Sequence, residues 1–256
     1  MSVDIPRNSF KRALAKNQLQ IGFWLNLASP TAAEIAAAAG FDWVTIDMEH
    51  APFELPEVLN ALRAMGGGTA APLVRVPWNE PVAVKRVLDL GVQSVMFPMV
   101  RNADEARAAV AATRYPPHGV RGMAGGTRAS GYGRIPDYPA RCAAEICVIV
   151  QIETLAALNL IPEIAAVDGV DGLFIGPNDL AADLGIVGQR YAEKNKETIL
   201  RGLKLIQATG KASGIVEHTL DEAMSLIKAG FTMVAVGSDT GLIARGTEQL
   251  VRTFKS

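Results

Sequence analysis

Apolar and polar positions alternate in two textures along the whole chain. Short β-branched, apolar runs fall at residues 21–26, 43–47, 73–76, 94–99, 146–153, 172–176, 212–216 and 232–237. Stretches rich in Ala and Leu, with a helical period, lie between and after them at 31–39, 55–65, 81–90, 103–113, 154–166, 194–209, 220–229 and 242–254. One further helical stretch, 9–16, precedes the first run. The two textures predict strands and helices, because the two elements repeat their buried faces at different periods. Gly40, Gly91 and Gly230 each follow a helical stretch, where a left-handed C-cap suits glycine. Strands that alternate with helices predict a parallel sheet. Eight such units in 256 residues predict a (β/α)8 TIM barrel with an extra N-terminal helix, as one domain over 1–256. A doubly wound sheet would want a glycine-rich turn after its first strand. Residues 27–31 read LASPT instead.

One connection breaks the rhythm. Residues 113–146 show no clear element and hold Arg114, Arg121, Arg128, Arg134 and Arg141 among six glycines. Long loops are usually functional. The expectation is a segment folded over the barrel mouth or into a subunit interface, with a solvated excursion as the plain alternative.

Composition narrows the class. Lys and Arg number 25 against 26 Asp and Glu, for a net charge of −1, which lacks the basic footprint of a nucleic-acid binder or of a protein that binds anionic membranes. No apolar run approaches the length of a membrane span, and residues 1–18 carry no secretory signal. Cys142 and Cys147 form neither a disulfide framework nor a standard zinc spacing. A soluble, cytoplasmic protein is expected.

In a barrel of this kind chemistry sits at the C-terminal ends of the strands. Those ends carry Asp47, Glu49 and His50 on the second strand, Arg75 on the third, Gln151 and Glu153 on the fifth, Asn178 and Asp179 on the sixth, and Ser238 and Asp239 on the eighth. Five acids, one histidine and one arginine are thereby expected on one face, and their burial calls for a cation or an anionic ligand. Glu153 and Asp179, on neighbouring strands, are the metal candidates. Two carboxylates with open positions suit Mg²⁺ or Mn²⁺. The plain alternatives are a first-turn acid for Glu153 and an N-cap for Asp179. Arg75 is either an ion-pair partner for Asp47 or Glu49 or a fixed cation for an enolate or carboxylate oxygen. His50 beside a metal is a candidate general base. His118, in the long loop, and His218, after the seventh strand, have less support. The nine lysines lie on helices, at termini or at the wrong end of a strand, which disfavours imine chemistry. A GxSxG elbow is absent, which weakens serine hydrolysis.

Long blocks of the chain resemble the HpcH/HpaI family of class II, metal-dependent 2-oxo-acid aldolases. They are FDWVTIDMEHAP (41–52), PLVRVPWNEP (72–81), FPMVRNADEARAAV (97–110), TRYPPHGVRG (113–122), CVIVQIET (147–154), VDGVDGLFIGPNDLAADLG (167–185) and FTMVAVGSDT (231–240). The resemblance implies a (β/α)8 barrel that cleaves 4-hydroxy-2-oxo acids reversibly to pyruvate or hydroxypyruvate and an aldehyde, through an enolate held at a divalent metal. It implies Glu153 and Asp179 as metal ligands, His50 as proton acceptor and Arg75 as stabiliser of the developing enolate. It further implies that Asp89 raises the basicity of the histidine, and that Arg75, Gln151, Asn178 and Asp179 contact the 2-oxo acid. Asn178 departs from the family, which often has a small residue there; a backbone N–H contact is open to any residue. The metal implied is Mg²⁺ or Mn²⁺, with Co²⁺ or Zn²⁺ also accommodated. Asp89 sits at the C-terminal end of a helix, on the barrel face away from the strand ends, so partnership with His50 calls for a neighbouring subunit. The family implies hexamers with exchange of C-terminal helices. The rival expectations are a CoA-ester lyase of citrate lyase β type, an oxaloacetate decarboxylase, and a non-catalytic barrel that binds an oxo acid.

Overall fold

The structure, a computed structural model, describes residues 4–255. It begins with α1 (Ser9–Leu14), β1 (Gln20–Leu25), α2 (Pro30–Ala38), β2 (Trp43–Asp47), α3 (Leu55–Ala64), β3 (Ala71–Arg75), α4 (Pro81–Asp89), β4 (Ser94–Phe97) and α5 (Ala103–Thr113). It continues with α6 (Tyr138–Arg141), β5 (Cys147–Ile152), α7 (Leu155–Asn159), α8 (Ile161–Ala165), β6 (Gly172–Ile175), α9 (Pro177–Asp183) and α10 (Glu193–Thr209). Last come β7 (Ala212–Val216), α11 (Leu220–Ala229), β8 (Met233–Ser238) and α12 (Asp239–Lys255). The strands pair in chain order, all parallel, and β8 closes on β1. This is the (β/α)8 barrel expected from the alternation. Among the described residues no helix is long and apolar enough to cross a membrane.

Period-two alternation on the strands separates two cores. Residues such as Val44, Ile46 and Val74 face the helices. Trp24, Trp43, Leu73, Met96, Ile149, Phe174 and Met233 pack together in a second cluster, which fills the barrel. Gly22 makes room for it, since a Cβ there would meet the Trp43 ring at 2.1 Å. Phe10 and Leu14 of α1 belong to the same inner cluster, so α1 plugs the base of the barrel. Phe10 lies 5.8 Å from Trp43 between ring centroids. Asn8 latches the plug. Its side-chain amide donates to Gln93 O at 3.1 Å and Glu145 O at 3.0 Å, and its Oδ1 caps α1 through Lys11 N at 2.9 Å.

Three details differ from the sequence expectation. The helix expected over 154–166 is two, α7 and α8, which meet at Leu160. Pro162 supplies no N–H and its ring crowds the carbonyl four residues back, so a single helix cannot run through it. A helix not expected, α9, starts directly after β6 with Pro177 in its first turn. The loop after α5 does not cover the mouth. It leads from a helix to the next strand and therefore lies at the base. Its arginines tie it to α4: Arg121 Nη2 donates to Asp89 Oδ1 at 2.8 Å, and Arg128 Nη1 donates to Leu90 O at 2.6 Å. A cation suits that position, where the unpaired carbonyls of the helix end gather.

Phe10→Ala is expected to cost about 3–5 kcal/mol, as large core truncations do. The fall in the denaturant midpoint measures it, and a change of less than about 1 kcal/mol would show that α1 is not part of the core.

Candidate active site

The inward row of each strand changes character from base to mouth. On β2 it runs Trp43, Thr45, Asp47; on β3, Leu73 then Arg75; along β5 and just beyond, Cys147, Ile149, Gln151, Glu153. The alternation that packs the barrel below therefore delivers the polar groups above. They line a cavity of about 390 Å³ whose wall includes His50, Arg75, Gln151, Glu153, Asn178 and Asp179. No lysine is among the lining residues.

Asp47 is the hub. It stands directly opposite Arg75 in the β2–β3 register. Arg75 Nε donates to its Oδ1 at 2.9 Å and Nη2 to its Oδ2 at 2.6 Å, a bidentate fork. Trp24 Nε1 and Asn26 Nδ2 each donate to Oδ2 at 3.2 Å. The backbone N–H groups of Glu49 and His50 donate to Oδ1 at 3.0 and 3.4 Å. Burial by itself would raise the Asp47 carboxyl. The hydrogen bonds and charge of Arg75, with Trp24 and the Glu49 N–H, outweigh it and hold the carboxyl below its ordinary value. The guanidinium stacks over Trp24, 5.0 Å from the ring centroid. Its Nη1 forms an ion pair with Glu49 Oε2 at 2.8 Å.

One arginine thus faces Asp47, Glu49, Glu153 and Asp179. The Glu153 carboxyl is pushed up to about 7, first by burial and then by Asp179 and Glu49, against the Met99 N–H and Arg75. Glu49 is likewise pushed up to about 7, by burial foremost and by Asp47 and Asp179, with Arg75 opposing. Glu153 Oε2 accepts from Met99 N at 2.7 Å and Oε1 from Gln151 Nε2 at 3.2 Å. The buried Gln151 Oε1 has no partner. Gly176 leaves the space that Glu153 needs, since a Cβ there would come within 2.5 Å of its Oε1. Crowded, undercompensated oxygen donors and an orphaned amide oxygen fit a hard divalent cation. Among the described residues no three His, Cys, Asp or Glu side chains form a metal cage. Such an ion would rest on Glu153 and Asp179, with water and ligand oxygens completing its shell.

His50 stands at the rim, its side chain 65% exposed, with Nε2 3.7 Å from Glu49 Oε1. Asp89 is not among the lining residues; within the chain it pairs with Arg121 at the base and does not meet His50. Asp239 also departs from expectation. It lies outside this cavity, and its carboxylate accepts from Asn26 N at 2.9 Å and Leu27 N at 3.1 Å, which ties the loop after β1. Trp24 and Asn26 are lining residues that the strand-end reading did not name, and His218, which it gave less support, lines the cavity as well. Trp24 and Asn26 belong to the end of the first strand, and the same rule applied there would have found them.

The depressed Asp47 carboxyl stabilises the fold above its ordinary pKa of 3.8, and that contribution disappears as pH falls through its lower folded value. Asp47→Asn is therefore expected to destabilise the protein strongly at pH 7, and the gap to wild type to narrow below about pH 4. Denaturant midpoints against pH check this; a gap independent of pH would contradict it.

Comparison with known proteins follows the same line. The HpcH/HpaI aldolase/citrate lyase family matches residues 20–246. A relative from Salmonella dublin named 4-hydroxy-2-oxo-heptane-1,7-dioate aldolase is 47% identical over 249 residues, which cover 97% of this chain and 95% of the relative. The protein of the same name from Escherichia coli is 47% identical over 248 residues, 96% of this chain and 95% of that one. The crystal structure of a HpcH/HpaI aldolase/citrate lyase family protein from Burkholderia cenocepacia J2315 superposes with a TM-score of 0.94 at 39% identity, covering 97% of this chain and 100% of that chain. On sequence and fold, this chain belongs to the HpcH/HpaI aldolase/citrate lyase family.

Proposed function

We propose that the chain, acting as one barrel domain, is a divalent-cation-dependent aldolase. It cleaves 4-hydroxy-2-oxo acids to pyruvate or hydroxypyruvate and an aldehyde, and it runs the reverse addition. The carrying observation is the single guanidinium of Arg75, clamped by Asp47 beside Glu153 and Asp179, which have no ion-pair partner among the described residues. Glu153 and Asp179 would hold Mg²⁺ or Mn²⁺, with Co²⁺ or Zn²⁺ as other occupants. Such an ion, when bound, supplies Lewis acidity to the 2-oxo group.

The protein's own groups do the rest. Gln151, Asn178 and Asp179 orient the carboxylate and oxo oxygens of the substrate. His50, open to solvent at the rim, accepts the proton of the C4 hydroxyl. The electron pair of the C3–C4 bond moves toward the oxo oxygen as the aldehyde leaves. Arg75 faces the charge that develops there, and its fork is already fixed, so little reorganisation opposes the step. The freed carbon of the enolate then takes a proton, and the 2-oxo acid departs.

A homo-oligomer is part of this proposal. From Leu242 to Lys255, α12 is exposed and presents Leu242, Ile243, Leu250, Val251 and Phe254 to solvent. Beside its first turns an apolar groove of about 400 Å³, lined by Phe23, Ile35 and Phe41 among others, remains open over β1 and α2. α12 of a second copy is the fitting cover for such a surface. The resemblance to hexamers with exchanged C-terminal helices agrees with it. In such an assembly the partner subunit's Asp89 would support His50, whose carboxylate neighbour among the described residues of its own chain is Glu49, at 3.7 Å from Nε2. Cytoplasmic residence is proposed with the rest; the free, buried thiols of Cys142 and Cys147 suit a reducing compartment.

Arg75→Ala is expected to lower kcat for cleavage on the order of 10²–10³-fold, the loss typical of one preorganised oxyanion donor. Near-normal turnover would refute its role. Pyruvate release from a 4-hydroxy-2-oxo acid should vanish after chelation and return with Mg²⁺ or Mn²⁺ in wild type but not in Glu153→Gln. Sedimentation should show an assembly larger than one chain, and a fully active monomer would sink the shared-site arrangement.

A further inference from the structure

The cavity has a second wall, which the roles above leave unused. In the closed strand order β7 stands across the barrel from β3. The end of β7 and the residues after it bring Val216 and His218 to the cavity, with Ser238 of β8 nearby. Among the described residues the His218 ring makes no hydrogen bond to protein, and its Nδ1 is buried without a partner. A histidine retained for structure ordinarily commits a ring nitrogen to a protein group, because an unpaired buried polar atom is costly.

The loop that carries this ring is, by contrast, tied down. One carboxylate, Glu217, accepts from the N–H of His218 at 2.7 Å, from the N–H and hydroxyl of Thr219 at 2.9 Å each, from Tyr191 Oη at 2.9 Å and from Arg190 Nη2 at 3.0 Å. Arg190 Nη2 also donates to Val216 O at 2.8 Å. The backbone at His218 is fixed while its imidazole is left uncommitted. Burial foremost, with the charges of Arg190 and Arg245, pushes the imidazole below its ordinary pKa against the pull of Glu217. The ring is neutral near pH 7 and can both give and take a hydrogen bond.

We propose that His218, with Ser238, forms the subsite for the aldehyde half of the substrate and selects an aldehyde that carries a hydroxyl group. This rests on the aldolase function proposed above. Arg75, Gln151, Glu153 and Asp179 claim the 2-oxo-acid half, which leaves the β7–β8 wall to the other fragment. A carboxylate on that fragment would call for an uncommitted cation. Arg190 is engaged by Glu217, and Arg245 is exposed on α12 outside the lining. A hydroxyl group, both donor and acceptor, matches a neutral imidazole.

The test uses two readouts on the wild type, His218→Leu and His218→Gln, all with Mg²⁺. Exchange of the pyruvate methyl protons in D₂O reads the 2-oxo-acid half alone. Addition of pyruvate to lactaldehyde, to propionaldehyde and to succinic semialdehyde reads the aldehyde half. The wild type should favour lactaldehyde in kcat/KM. His218→Leu should keep exchange, lose about tenfold or more with lactaldehyde and lose little with propionaldehyde; His218→Gln should recover part of the loss. A wild-type preference for propionaldehyde or the semialdehyde overturns the proposal. So does an equal loss on all aldehydes, or a loss of exchange in both variants. A wild type that neither exchanges nor adds overturns the aldolase function itself, and the subsite with it.

Discussion

The bidentate pair between Asp47 and Arg75 is the interaction on which the site depends. Both groups are buried where β2 and β3 end, and either alone would be an uncompensated charge in the barrel. Breaking such a pair costs about 3–5 kcal/mol. The pair is worth more than its stability. Asp47 also holds Trp24, Asn26 and the N–H groups of Glu49 and His50. One carboxylate therefore aims the arginine fork, orders the turn that carries the rim histidine and joins three neighbouring strand ends. Burial foremost, and then the crowding of Glu49, Glu153 and Asp179 on one another, holds Glu49 and Glu153 above ordinary carboxylates, and the pull of Arg75 only partly offsets it.

Much of this was legible in the sequence because barrels are periodic. Strand and helix textures repeat, and the mouth lies at every strand's C-terminal end, so Asp47, Arg75, Gln151 and Glu153 could be placed without coordinates. What escaped depends on direction and on local breaks. Asp239 follows a strand end, yet its carboxylate turns outward to the chain after β1. The helix expected over 154–166 shows the limit of periodicity: its apolar spacing passes through Pro162, which the backbone cannot do. The length and arginine content of the loop after α5 leave the barrel mouth, a subunit interface and a solvated excursion all open. Its place between a helix and the following strand decides that it lies at the base, where Arg121 is buried over Tyr115 and beside Asp89.

The outer surface is unfinished in a way the mouth is not. An (β/α)8 barrel covers each strand pair with a helix, but here the closing helix leaves the β1–α2 groove open and carries its own apolar residues into solvent. The second copy proposed to cover that face would complete the site in the same way. The placement of Asp89 at the base and of His50 at an open rim is in keeping with that economy.

The most direct measurement of the central claim is proton–deuterium exchange at the pyruvate methyl group, followed by NMR in D₂O on wild type and Arg75→Ala, with and without a divalent cation. Enolate chemistry at this site predicts exchange in the wild type only when Mg²⁺ or Mn²⁺ is supplied, and its collapse in Arg75→Ala. Exchange that survives complete chelation, or that proceeds at the wild-type rate without Arg75, would contradict it.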